Sequence, residues 1–214
     1  MRFLGILSLL MLAGCRGTVP QLNGPPEQGI ASVLIGCRMI LPTGETPTGQ
    51  VSLNLDGEKG NSEVYRLPLK PQRTLLFQIE PGTYRLSPTR SLFGFHQDRL
   101  KAVIEGHAYQ IPFPREILRK PAFLVKPTKI VAIGTLEVEI TARRPGRDPA
   151  VKVRLDDSVE TRRQLVQSKI RTMMDPNAPE NDRETALAWT RALEETLSQV
   201  LSESQREPAF RPEQ

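Results

Sequence analysis

The sequence predicts a mainly β protein, an antiparallel β-sandwich followed by a C-terminal pair of α-helices. Between residues 30 and 155, roughly ten short β-type segments succeed one another at spacings of about 8 to 12 residues, and turn residues bound each segment. After Leu155 the apolar side chains recur with a helical period instead. A chain of 214 residues that is 38% hydrophobic can bury one good core and a small second element.

Residues 1–15 form the first element. One charge, Arg2, precedes an apolar run at residues 3–13 that is too short to cross about 30 Å of hydrocarbon and is typical of a signal-peptide core. The run ends in Leu12-Ala13-Gly14-Cys15, which resembles the lipobox of bacterial lipoproteins. The resemblance implies that residues 1–14 are a cleaved lipoprotein signal peptide and that Cys15 is lipidated. An ordinary secretory signal or a short buried helix, with an incidental Cys15, is the alternative.

The same resemblance predicts a location. In bacterial lipoproteins an aspartate after the lipidated cysteine keeps some members in the inner membrane, but this chain has Arg16 there. Attachment to the outer membrane, facing the periplasm, is therefore favoured if the source is Gram-negative. Two or more acyl chains, palmitate among them, hold a protein stably, so the membrane is the first expected partner.

Residues 15–28, which follow the signal peptide, read as a lipidated cysteine and a tether. They contain Pro20, Pro25 and Pro26 and show no apolar period. Fully extended, the stretch after Cys15 reaches about 45 Å.

Residues 29–155 form the predicted β-sandwich domain. Alternation is clearest where Leu136, Val138 and Ile140 share one face of a strand and Glu137 and Glu139 share the other, which indicates a strand with one wet face. The predicted strands cover residues 30–41, 50–56, 63–69, 74–79, 83–87, 100–104, 109–113, 122–125, 130–141 and 151–155.

One turn in this domain carries a second resemblance. Glu80-Pro81-Gly82-Thr83-Tyr84 combines a proline that presets φ for a turn with a glycine and a resumed strand. It is similar to the Pro-Gly-x-Tyr strand opening of PEGA and carboxypeptidase-regulatory-like domains. The resemblance implies an immunoglobulin-like or transthyretin-like sandwich of the kind that serves as a non-catalytic envelope module.

Residues 156–206 form the predicted helical segment, and residues 207–214 a flexible tail. The first helix starts at Asp157-Ser158-Val159-Glu160, which offers a cap. The second carries an apolar stripe that we interpret as a docking face, against either the sandwich or a partner chain. The candidate partner-binding residues are Trp189, Leu193, Leu197 and Val200 of this stripe and Phe93 and Phe95 of an apolar loop.

Charge and cysteine content restrict the partners. Residues 16–155 carry 20 Lys and Arg against 12 Asp and Glu, whereas residues 156–214 carry 8 against 12. The excess of positive charge in residues 16–155 predicts binding to an anionic envelope polymer. The alternative is that these cations only form a solvated surface. Nucleic acid is not an expected partner outside the cytoplasm.

With Cys15 lipidated, Cys37 has no partner for an intrachain disulfide, and we expect it to be buried and inert.

The sequence predicts no catalytic residues, no cofactor and no metal site. His96 and His107 accompany no nucleophile pattern. Residues 52–63 match four of five calcium-loop positions but have a serine at the first and strand-like flanks, so a β-hairpin is the simpler interpretation. Glu137 and Glu139 lie about 7 Å apart on a wet strand face, as glycosidase carboxylates can, but nothing nearby suggests a cleft.

Together these features predict a lipid-anchored, non-enzymatic cell-envelope protein that binds or scaffolds another envelope component, with a protein as the preferred partner. The alternative is a module that binds wall glycan or lipopolysaccharide through its basic sandwich. A hydrolase is the third hypothesis.

Overall fold

The computed structural model describes residues 24–58, 64–88, 99–141, 150–176 and 183–206. It contains ten strands and three helices in these ranges. The strands are β1 (Ala31–Ile40), β2 (Gly49–Glu58), β3 (Val64–Leu69), β4 (Arg73–Ile79), β5 (Gly82–Ser87), β6 (Arg99–Ile104), β7 (His107–Pro112), β8 (Phe123–Val125), β9 (Ile130–Ile140) and β10 (Val151–Asp156). The helices are α1 (Arg115–Arg119), α2 (Val159–Met173) and α3 (Arg183–Arg206).

The strands form two sheets, which confirms the predicted β-sandwich with C-terminal helices. The four-stranded sheet has the order β10-β9-β1-β4, and the six-stranded sheet has the order β7-β6-β2-β5-β8, with β3 on the other edge of β2. One pairing departs from the antiparallel expectation, because β1 runs parallel to β9. These two strands are far apart in sequence, and the chain between them builds the whole second sheet, which supplies the long crossover that a parallel pair needs.

Alternating side chains of both sheets fill one core. Val33, Ile35 and Met39 of β1 face Leu53 and Leu55 of β2 across it, and all five are essentially buried. The alternate residues of each strand face away from this core. The sandwich is therefore built by the period-2 pattern that the sequence shows.

Two tyrosines fix the turn before β5. Tyr84 is fully buried and donates its hydroxyl hydrogen bond to the carbonyl of Glu80 at 2.7 Å, while the Tyr65 hydroxyl accepts from the Glu80 amide at 3.2 Å. The rings lie 6.0 Å apart and tilted by 57°. The tyrosine of the Pro-Gly-x-Tyr pattern thus satisfies the backbone of the turn that precedes it.

A bulge divides β9 into two halves. The register of β9 against β1 shifts by one residue between Ala132 and Gly134. Before the shift, Ile130 and Ala132 face away from the sandwich core; after it, the core-facing side chains include Leu136 and Val138. The bulge therefore reverses which alternate side chains of β9 face the sandwich core.

The second core lies under the helices. Ser158 caps α2 by accepting from the Thr161 amide at 3.3 Å, as the sequence predicts. Helices α2 and α3 pack as a pair on the outer face of the four-stranded sheet and form a third layer. The sheet side of this second cluster consists of Leu34, Leu76, Ile130 and Ala132. In the ranges that the structure describes, neither long helix is apolar enough to cross a bilayer.

Candidate functional site

The predicted docking stripe lies inside the molecule. Trp189 and Leu193 are 0% exposed and Val200 is 3% exposed, while Leu197 is half-buried against the same cluster. Trp189 and Leu193 share a cluster with side chains of the chain's own sheet. Of the two covers that the sequence leaves open, the structure has the chain's own sheet and helices over Trp189, Leu193 and Leu197. An apolar stripe reads the same in sequence whether its cover is the chain's own sheet or another protein.

The other predicted site residues lie outside the described ranges. Cys15, Phe93 and Phe95 belong to this group, and so does His96. His107 is described; it begins β7 and is exposed.

The end of the predicted tether and the first residue after it each contact the body. The indole N–H of Trp189 donates to the carbonyl of Gly24 at 2.9 Å, and the amide of Gly29 donates to the Thr128 hydroxyl at 3.3 Å. Residues 16–23 therefore separate Cys15 from the first contact among the described residues. At full extension this stretch reaches about 30 Å, less than the sequence alone suggested.

The two carboxylates whose spacing matches that of a glycosidase pair have different environments. Glu137 is buried on the outer face of the four-stranded sheet, where Arg38 Nη1 lies 3.4 Å from its Oε1 and Arg154 Nε contacts its Oε2. Glu139 is exposed on the same strand. The two guanidiniums thus hold Glu137 as a cross-strand ion-pair partner.

The residues that match the calcium-loop pattern also have a different geometry in the structure. Ser52, Asn54 and Asp56 lie on β2, and the strand continues through Gly57 and Glu58, so the candidate ligands follow an extended strand and not a loop. Residues 59–63 lie outside the described ranges. Among the described residues, no group of three or more His, Cys, Asp and Glu is placed to hold a metal ion.

The cationic outer face of the six-stranded sheet is the best candidate surface. Here β2 supplies a floor of buried polar side chains, and cations stand beside it: Arg66 of β3 pairs in register with Asn54, and Lys101 of β6 with Ser52. Both cations are exposed and have no ion pair with any described residue. Arg99 lies two residues before Lys101 and contacts Gln110. We call Arg66, Arg99 and Lys101 the cationic face.

The cationic face has a physical basis in the period of the strands. Residues 99 and 101 share one side of β6, while Leu100 and Ala102 face the core. Arg85 of β5 shares the outer side, but its Nε lies 2.8 Å from Glu58 Oε1, so its charge is paired. The sequence showed the excess of positive charge over residues 16–155, but pairing between distant strands decides which cations become neighbours.

Cys37 takes no part in any candidate site. It is buried in the sandwich core, and burial raises the pKa of its thiol to about 12. A thiol in this environment is inert, because the thiolate is the nucleophile.

No known protein family and no curated protein matches this chain. Parts of it are similar to solved structures. A proposed cell adhesion protein from Bacteroides uniformis is 13% identical over 59% of this chain and 50% of its own, with a TM-score of 0.26. The chain thus spans about half the length of that protein.

Two dioxygenase structures show a similar degree of likeness. The 3-chlorocatechol 1,2-dioxygenase from Rhodococcus opacus is 12% identical over 65% of this chain and 66% of its own, with a TM-score of 0.21. The dioxygenase domain of a dioxygenase–carbohydrate-binding fusion protein from Streptomyces sp. SirexAA-E is 13% identical over 67% of this chain and 96% of its own, also with a TM-score of 0.21. Structural similarity this distant does not assign an activity to the present chain.

Proposed function

We propose that this chain is a lipid-anchored, non-enzymatic protein of the bacterial cell envelope that binds another envelope component. The observation that carries the proposal is Leu12-Ala13-Gly14-Cys15 directly after a short apolar run. The tie between Gly24 and Trp189 adds support, because it connects the segment after the lipidated cysteine to the folded body. An anchor on Cys15 would then hold the body within about 30 Å of the membrane surface.

The anchor is tested by processing. In the wild-type chain, mass spectrometry is expected to find residue 15 as an acylated N-terminus, whereas Cys15→Ser should leave an unprocessed precursor. Cys37→Ser is the matched control, since the other cysteine is buried in the core and its loss should leave processing unchanged. An unmodified Cys15, or cleavage at another bond, would contradict the proposal.

The second candidate partner is an anionic envelope polymer bound at the cationic face. Lipopolysaccharide phosphates and acidic wall polymers present repeated anions, and exposed cations on one side of a sheet attract them without a deep pocket. The exposed Arg66 and Lys101, which lack ion pairs among the described residues, favour this second candidate function.

Binding to purified lipopolysaccharide tests the cationic face. Arg66→Ser combined with Lys101→Ser is expected to weaken retention several-fold at low salt and to reduce its salt dependence. The control removes equal charge elsewhere: Lys126→Ser combined with Lys152→Ser, two exposed lysines outside that face. Equal losses in both double variants would indicate a diffuse charge effect and exclude a site at the cationic face.

A further inference from the structure

A cleft of about 350 Å³ opens between the two sheets. It lies where β5 and the segment that joins α1 to β8 stand opposite β9 and β10, with the start of α2 at its mouth. This volume is within the range of small-molecule sites, which are mostly apolar and carry a few polar groups. Its principal apolar lining side chains are Leu86, Ile117, Phe123, Val131, Ile133 and Leu155.

The cleft is a place where the sandwich does not close. Phe123, Val131 and Leu155 pack against the main core, yet each remains only half-buried. The segment Lys120-Pro121-Ala122 passes over the gap between the sheets. Apolar surface that stays in contact with water at the edge of a core is stabilised by an apolar occupant.

The cleft lining contains four charged residues, and each of them has a polar partner. Lys120 Nζ lies 2.5 Å from Asp157 Oδ2, and the Nε of Arg162 donates to the backbone carbonyl of Asp157 at 3.1 Å. Arg162 Nη1 also lies 2.7 Å from Glu203 Oε2. Arg85 borders the cleft too, but its side chain forms an ion pair with Glu58.

These ion pairs are exposed enough to exchange partners. The side chains of Asp157 and Glu203 are 47% and 52% exposed, and ion pairs in water contribute little to stability. Lys120 already binds the carboxylate of Asp157, so the structure shows that its ammonium group is placed to bind a carboxylate. The lining holds the cations Arg85, Lys120 and Arg162 but one carboxylate, Asp157, because Glu58 and Glu203 pair with Arg85 and Arg162 from outside it. The charge of the lining therefore favours an anionic head group over a cationic one.

We propose that this cleft binds a medium-chain fatty acid. The alkyl chain lies between the sheets against Phe123 and Val131, and the carboxylate replaces Asp157 as the partner of Lys120, with Arg162 beside it. This inference does not depend on the lipid anchor or on the cationic face, so it stands or falls separately from the proposed function.

Calorimetric titration with decanoate tests the proposal on residues 16–214, which contain every described element and exclude the proposed lipidation site. Decanoate is expected to bind with one site per chain. Decanol, which has the same chain but no charge, should bind at least tenfold more weakly, and decyltrimethylammonium should not bind. Absence of decanoate binding below its micellar concentration, or equal binding of all three amphiphiles, would overturn the proposal.

Variants locate the site. Ala122→Phe and Val131→Phe each fill the cleft from a different wall and are expected to abolish binding; the second guards against misfolding of the first, and circular dichroism checks both. Lys120→Met should weaken decanoate binding at least tenfold, whereas the matched control Lys126→Met should leave it unchanged. Decanoate bound equally well by a folded cleft-filled variant would place the ligand elsewhere and refute the assignment.

Asp157→Asn distinguishes a ligand site from a merely structural ion pair. It removes the carboxylate that competes for Lys120 while keeping the side chain's shape, so decanoate should bind several-fold more tightly. If the pair only holds the mouth together, the same change would leave the affinity unchanged or lower it, and that result would contradict the proposed head-group contact.

Discussion

At the scale of single residues, Gly134 decides the course of β9. Its φ of +131° is a conformation that L side chains rarely adopt, and a Cβ added there would lie 2.3 Å from the carbonyl oxygen of Asp156. The glycine therefore permits both the bulge and the close approach of the end of β10. It is the residue at which the alternation of core-facing side chains along β9 reverses.

We expect Gly134→Ala to destabilise the protein by about 3 kcal/mol or more, because backbone strain and a clash with backbone add together. Gly44→Ala is the control: its φ is also positive, at +77°, but its added Cβ would meet nothing within 4 Å. That variant should lose only about 1 kcal/mol. Denaturant unfolding of both variants measures the difference, and equal losses would show that the close approach to Asp156 costs nothing.

Cys37 gives a pH-dependent prediction. Burial raises the pKa of its thiol from 9.0 to about 12, so the folded state keeps the proton at a pH where the unfolded state loses it. The contribution of the protonated thiol to the free energy of unfolding is complete below pH 9. It is lost as the pH rises from about 9 towards 12, by up to about 1.4 kcal/mol per pH unit. Stability of the wild type should therefore fall more steeply in this window than that of Cys37→Ala, and parallel curves would contradict the burial effect.

At the scale of secondary-structure elements, α3 is held by Trp189. The indole is fully buried among apolar side chains of the sheet and helices, and its N–H satisfies the carbonyl of Gly24. A helix of this composition draws its stability from such packing more than from its own propensity. The same side chain ties the segment before β1 to the C-terminal layer.

Trp189→Phe keeps an aromatic ring but removes the N–H donor, and we expect it to cost about 1 to 3 kcal/mol and to speed proteolysis between residues 24 and 29. Leu187→Ala, on the same helix but at a side chain that is 39% exposed, should change stability by no more than about 0.5 kcal/mol.

Because the Trp189 indole is buried, the tryptophan emission of the wild type should be blue-shifted at every protein concentration. A concentration-dependent shift would point to association of the helices with another chain.

At the scale of the whole molecule, the described residues form three layers and two apolar cores. The four-stranded sheet contributes to both cores, because its inner face meets the six-stranded sheet and its outer face meets α2 and α3. The predicted boundary between residues 155 and 156 therefore falls inside a packed unit. Independent folding of residues 29–155 stays a prediction. Removal of the helices should lower the stability of the sandwich by a measurable amount.

A chain that ends at Asp156 exposes Leu34, Leu76 and Ile130. At about 1.5 to 3 kcal/mol for each large side chain that loses its burial, the loss is comparable to the stability of a typical domain. We expect β-type circular dichroism with a melting temperature at least about 10 °C below that of the full chain. Melting at the full chain's temperature would instead support a sandwich that is independent of the helices.

The local features of the fold could be predicted from the sequence because they arise from neighbours in the chain. Alternation in residues 136–140 specified a strand with one face in the core, Ser158 specified a helix cap, and Pro81-Gly82 specified a turn. Each of these depends on backbone geometry within a few residues, where side-chain chemistry acts directly.

The tertiary structure alone decided where the faces of these elements went. The stripe around Trp189 met the chain's own sheet, Glu137 met arginines from two other strands, and Lys101 and Arg66 came to one face by pairing with β2 on opposite edges. Such contacts join residues that are from 12 to more than 100 positions apart. A periodic pattern states that a face is apolar or charged, but its partner is fixed only when register and layer order close the whole fold.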